Sequence, residues 1–268
     1  MRKERKKKVM KKITLGLASV TVLVNLIIGS GSVYAANFPE DTRGETEAKV
    51  TILENDEPDT DVPDPDDPDA PPLIPDNPDE INPGISSFRI GYISEFDFGE
   101  QKNSSQAISL QAKLVGFQTG TGEAVQRVPF VTTIDNRGTD RTGWTLRVSQ
   151  PQGFKDEHNN ELKGATLKFN NVHYNTNSAD TPTATKELTL NNDEQVIAKS
   201  TIDQGAGTHV LVLGDAQADG TTDGVSLEIP ANTVKNNTEY NTKVVWEFVA
   251  DPTENVGDDN NDNTGDQE

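Results

Sequence analysis

Between residues 144 and 149 the chain reads Trp-Thr-Leu-Arg-Val-Ser, which sets Trp144, Leu146 and Val148 on one side of an extended backbone and Thr145, Arg147 and Ser149 on the other. The stretch TEYNTKVVWEFVADP repeats the period of two. Tyr240, Val244, Trp246 and Phe248 share a face, Lys243 and Glu247 lie opposite, and Asp251-Pro252 ends the run. Further short runs bounded by Gly, Asn, Asp or Pro predict strands at 87–93, 107–115, 126–134, 165–169, 187–190, 196–198, 209–213 and 225–229. There is no long helical periodicity and no internal repeat of solenoid or propeller length. The pattern predicts an all-β fold over residues 85–252, an antiparallel β-sandwich or distorted barrel, long enough to bury a core of its own.

Outside that region the pattern changes. At the amino terminus eight Lys and Arg residues precede an apolar run from Ile13 to Ile28 and the small-residue site Val33-Tyr34-Ala35, so residues 1–35 read as a signal peptide cleaved after Ala35. The run is too short, and too often interrupted by Thr14, Ser19, Thr21 and Asn25, for a membrane span, and none is expected after cleavage. Residues 36–53 form an N-terminal segment in which Ala48–Leu53 is β-prone; a lone strand there either pairs with an edge of the downstream domain, the favoured reading, or stays disordered. From 54 to 84 nine of the chain's 15 prolines alternate with carboxylates, without one Lys or Arg, which predicts a disordered, solvated, acidic Pro-rich linker. The acidic stretch 253–268 reads as a disordered tail, with no sortase-type Leu-Pro-x-Thr-Gly motif.

Charge narrows the function. The whole chain carries a formal −20, and without residues 1–35 it holds 16 basic against 43 acidic residues. Such a field disfavours nucleic acid and also simple electrostatic adhesion to an anionic wall, so attachment is expected from a particular face rather than from bulk charge. With no cysteine, thiol catalysis, thiolate metal sites and disulfides are excluded.

Candidate chemistry is sparse. His158, His173 and His209 read as surface residues, and no nucleophile-elbow or zinc-protease motif occurs. The word from Asp215 to Asp223 spaces oxygen ligands like a calcium loop but has Ser226 where a bidentate Glu is needed, so an Asp-Gly hairpin is the preferred reading and no metal or cofactor is assigned. Six arginines lie beyond residue 35, and Arg127, Arg137, Arg141 and Arg147 cluster on the approach to Trp144. They would suit wall carboxylates and phosphates, or form exposed ion pairs with acids such as Asp135 and Asp140. Trp144 and Trp246 would stack on sugar rings, or pack in a core with their neighbours.

The words DNRGTDRTGWTL and YNTKVVWEFVADP, with FDFG, LKGATLKF and VSLEIPANT in order between and around them, resemble the WxL domain family of Gram-positive surface proteins. The upstream AKVTILENDEPDTDVPDPDDPD also resembles the strand and Asp-Pro linker of such proteins, while the second motif departs from the pattern with Phe248 in place of Leu. The resemblance implies a secreted, non-catalytic protein held non-covalently at the cell wall, on peptidoglycan, another wall polymer or a wall-associated partner, together with companion WxL-interacting surface proteins. The candidate ligand-binding set is Trp144, Leu146, Trp246, Phe248, Arg141 and Arg147. A secreted glycan hydrolase is the alternative, since 43 acidic residues will place some carboxylate pair at glycosidase separation by chance.

Overall fold

A computed structural model describes residues 37–45, 48–53, 60–176 and 178–250; the expected signal peptide and the expected tail lie outside the described residues. The chain divides into two units, Met1–Leu53 and Glu54–Glu268. In the first, Asn37–Glu40 (β1) and Arg43–Glu45 (β2) form an antiparallel hairpin. The strand expected at Ala48–Leu53 is not formed. Those residues are exposed and without regular structure, because a lone apolar alternation has no ladder to join.

The second unit contains the strands Ile74–Pro75 (β3), Phe88–Ile93 (β4), Ile108–Lys113 (β5), Val115–Gln118 (β6), Ala124–Arg127 (β7) and Phe130–Asp135 (β8). These are followed by Trp144–Ser149 (β9), Thr166–Phe169 (β10), Val172–Tyr174 (β11), Thr183–Ala184 (β12) and Leu188–Thr189 (β13). Gln195–Ser200 (β14), Gly207–Leu213 (β15), Thr221–Ile229 (β16) and Val245–Ala250 (β17) complete the series. All pairings are antiparallel, and three four-stranded sheets, β13-β10-β16-β5, β11-β15-β8-β4 and β12-β14-β9-β17, contribute to one large apolar core. The expected all-β antiparallel architecture is what forms. Two expected strands, 107–115 and 126–134, each split in two at Leu114 and at Val128-Pro129. Pro129 has no N–H to donate, and the halves join different sheets.

The expectation of a free linker over 54–84 fails from residue 60 onward. Val62 and Leu73 are buried, bridge to each other, and pack with Tyr92, Phe117 and Phe130 in a second apolar cluster. Here β3 pairs with β6 in the small sheet β3-β6-β7. The strap that results is pinned by polar contacts as well. Arg127 grips Asp64 with two bonds of 2.6 Å, and both side chains are largely out of water. Tyr92 donates to Glu80 at 2.6 Å, and the N–H of Asn82 reaches Gly91 O on the edge of β4. Isolated apolar residues in a polar run are buried when a sheet face lies within reach of the chain.

Candidate functional site: the tryptophan strands and the loop they hold

The two tryptophan-bearing strands are neighbours. β17 pairs with β9 over its full length, so Phe248 lies opposite Leu146, Trp246 opposite Val148 and Glu247 opposite Arg147. Trp144, Leu146 and Val148 point inward and are buried, with Trp144 and Leu146 at 0% exposure. These two candidate ligand contacts therefore offer no surface to a ligand, a correction to the expectation for both. Burial follows from position: β9 lies between β14 and β17, and its apolar face meets the common core. Trp246 and Phe248, on an edge strand, are half-buried against the same core.

Two rows of rings extend from this seam. Phe248 stacks on Phe88 of β4 at 4.0 Å and meets Trp144 edge-on at 5.0 Å, while the Arg137 guanidinium lies 4.1 Å over the outer side of Phe88. Trp246 stacks on Phe169 of β10 at 5.7 Å, and Phe96 closes edge-on against Phe169 at 5.5 Å. The exchange of Leu for Phe248 is accommodated by Phe88, whose ring supplies the facing surface.

The polar end of Trp144 holds a loop. Its indole N–H donates to Gly205 O at 3.1 Å. Gly205 has a φ of +70°, and a Cβ there would come within 2.5 Å of that indole nitrogen, so the approach requires glycine. The carbonyls on either side are engaged too: Arg141 donates to Gln204 O at 3.2 Å, and His209 Nε2 lies 3.0 Å from Ala206 O. A carbonyl can only accept, so His209 carries its proton on Nε2. The N–H of Gly205 in turn reaches Asp180 O at 2.7 Å, which fastens the neighbouring loop.

The arginines that cluster in sequence disperse in space. Arg127 serves the strap, and Arg137 forks onto buried Asp135 with two bonds of 2.8 Å. Arg147 pairs with Glu194 at 3.1 Å. Arg141, half-buried, has its described contact with a carbonyl rather than a carboxylate. His209 is a second correction: with 8% exposure it belongs to the interior, and burial lowers its pKa against the pull of Ala206 O, Asp180 and Asp135. His158 and His173 remain at the surface. At the calcium-like word a tight turn closed by the single bridge Ala216–Thr222 joins β15 to β16, but the two strands enter different sheets, so the expected hairpin does not form between them. Asp223 accepts from the N–H of Asp215, Asp219 from Thr221, and no metal-holding cluster occurs among the described residues.

An open groove of about 520 Å³ lies between the strap and β4, lined by Glu80, Glu95, Ile81, Ile90 and Tyr92 among others. Burial raises the pKa of Glu80, but its carboxylate already accepts from Tyr92 OH and from the N–H of Glu95 at 3.0 Å. Its chemistry is thereby committed to fastening the strap. Sequence reasoning passed over Gly205, Asp180 and Phe88. The glycines of the run Gly205-Ala206-Gly207 were the available signal, since both take positive φ.

The fold and this seam define an all-β domain of antiparallel sheets whose two tryptophan strands are paired through one core. A family model described as WxL domain, surface cell wall-binding, matches residues 39–252. The chain belongs to the WxL domain family. Membership makes it an extracellular cell-wall surface protein and its domain a wall-binding one, not a member of a catalytic family. No helix among the described residues is long and apolar enough to cross a membrane. Searches of curated proteins and of solved structures find no match to the chain.

Proposed function

We propose that the protein is a non-catalytic attachment module, held non-covalently on peptidoglycan or a wall-associated partner, and that it works within a surface assembly with companion proteins. The family match over residues 39–252 carries the reading. The disposition of charged groups supports it. Arg147, Arg137 and Arg127 are neutralised within the domain, and the groove between the strap and β4 has its buried carboxylate, Glu80, committed to internal hydrogen bonds. With Trp144 and Leu146 buried, the candidate residues that still reach the surface are Arg141, Arg147 and the half-exposed edges of Trp246 and Phe248. The two functions separate in one experiment. The chain is mixed with labelled, purified Gram-positive walls, and both sedimentation and release of soluble fragments are measured. The module sediments with walls and releases nothing above background; time-dependent release would establish a hydrolase instead.

A further inference from the structure

Three successive carbonyls of one loop, those of Gln204, Gly205 and Ala206, are each held by a side chain from a different place: Arg141 ahead of β9, Trp144 within β9 and His209 on β15. The loop is closed on itself by the N–H of Gln204 to Thr201 O at 3.2 Å and tied to the 178–181 turn through Asp180 O. So much anchoring is unnecessary for a mere connection between two strands. It fixes an outward-facing tip, Thr201-Ile202-Asp203, in which Ile202 is 40% exposed. Sandwich domains display their recognition loops at the ends of the sheets, and a loop fixed before contact loses less entropy on binding.

We propose that the Thr201–Gly207 loop is the wall-contacting surface of this domain, that it takes a neutral glycan strand bearing hydroxyl and acylamino groups, and that Trp144 is its positioning residue. The proposal rests on the attachment reading above. The ligand class follows from the groups displayed. Asp203 and Gln204 supply a carboxylate and an amide for sugar hydroxyls and acylamino N–H groups, and the hydroxyl of Ser178 lies on the neighbouring turn. Ile202 supplies an apolar contact for an acyl methyl or the C–H face of a ring. A polymer of phosphodiesters or carboxylates fits poorly, because Asp203 and Asp180 are exposed there and the Arg141 guanidinium is already directed to Gln204 O. Trp144 acts at one remove. Its indole N–H sets the backbone of Gly205 while the ring stays in the core, which explains why a fully buried ring should be Trp rather than Phe.

The test uses the full secreted chain, intact walls, and walls chemically stripped of anionic polymers. Parent protein should sediment equally with both, and soluble N-acylated glycan fragments should compete it off. The double variant Ile202→Asp, Gln204→Ala changes side chains at the surface of the loop. It should keep the parent melting temperature and lose affinity by at least about tenfold. Trp144→Phe should weaken binding as well, in a protein whose circular dichroism spectrum remains that of a β domain. Parent-like binding by the double variant would overturn the loop as the site. Binding lost on stripped walls would overturn the neutral glycan in favour of an anionic polymer. Should the parent sediment with neither wall, the attachment reading itself fails, an outcome distinct from both.

Discussion

Trp144 carries two separable duties, one apolar and one polar. Truncation to Ala removes a fully buried ring that touches Phe248 and should cost about 3–5 kcal/mol. Replacement by Phe keeps most of the packing but leaves Gly205 O without its donor, and an orphaned buried acceptor costs about 1–3 kcal/mol. Urea unfolding of the two variants should therefore give a clear order, parent above Phe above Ala. Equal stability of Phe and parent would mean that the indole N–H contributes nothing. His209 contributes through protonation. Its pKa in the fold lies below the ordinary 6.5 because burial disfavours the cation, so the folded state prefers the neutral ring. Its contribution is complete above about 6.5 and is lost as pH falls below that value. Melting temperatures measured from pH 7.5 down to 5 should decline less steeply in His209→Gln than in the parent, and parallel curves would refute the assignment.

At the scale of elements, the strap of residues 60–84 departs most from expectation, and its energetics explain why. Nine prolines stiffen 54–84 and limit what its unfolded form gains in entropy, and Val62 and Leu73 each find a sheet-bound partner surface. Asp64 sits beneath the Arg127 guanidinium. Burial pushes its carboxyl upward, but the bonds from Arg127 and from the N–H groups of Asp66 and Asp67 hold it below the usual carboxylate range. Removal of one partner from a buried pair leaves the other charged and unsolvated, so Arg127→Met should destabilise the domain by about 3–5 kcal/mol. A double variant that also neutralises Asp64 as Asn should recover part of the loss, which a double-mutant cycle in urea would read directly. A cycle without coupling would show that the strap is held by its apolar residues alone.

For the molecule as a whole, what could be read in advance was what is local. The alternations at 144–149 and 240–249 announced strands, the second formed only over Val245–Ala250, and the Asp-Gly pair before β16 announced a turn, though its flanking strands go to different sheets. Pairings of distant residues stayed hidden: the partner of Arg127 lies at Asp64, that of Trp144 at Gly205, and that of Phe248 at Phe88. No periodicity records such contacts. Burial of Trp144 rather than exposure was equally open, since alternation identifies a face but not what covers it. The strand Val172–Tyr174 was missed because the Asn residues around it read as loop.

The sequence positions of the two neighbours of β9 have a consequence for folding. One flank of this strand is supplied by Gln195–Ser200 and the other by Val245–Ala250, the last strand of the described chain. The sheet cannot be completed until Val245–Ala250 has joined it, and the seam of rings that joins the sheets waits with it. Sequence separations of this kind make folding slow. The core that joins the three sheets is therefore the last part of the domain to close, and everything stacked on the Trp246 and Phe248 rings stays open until then.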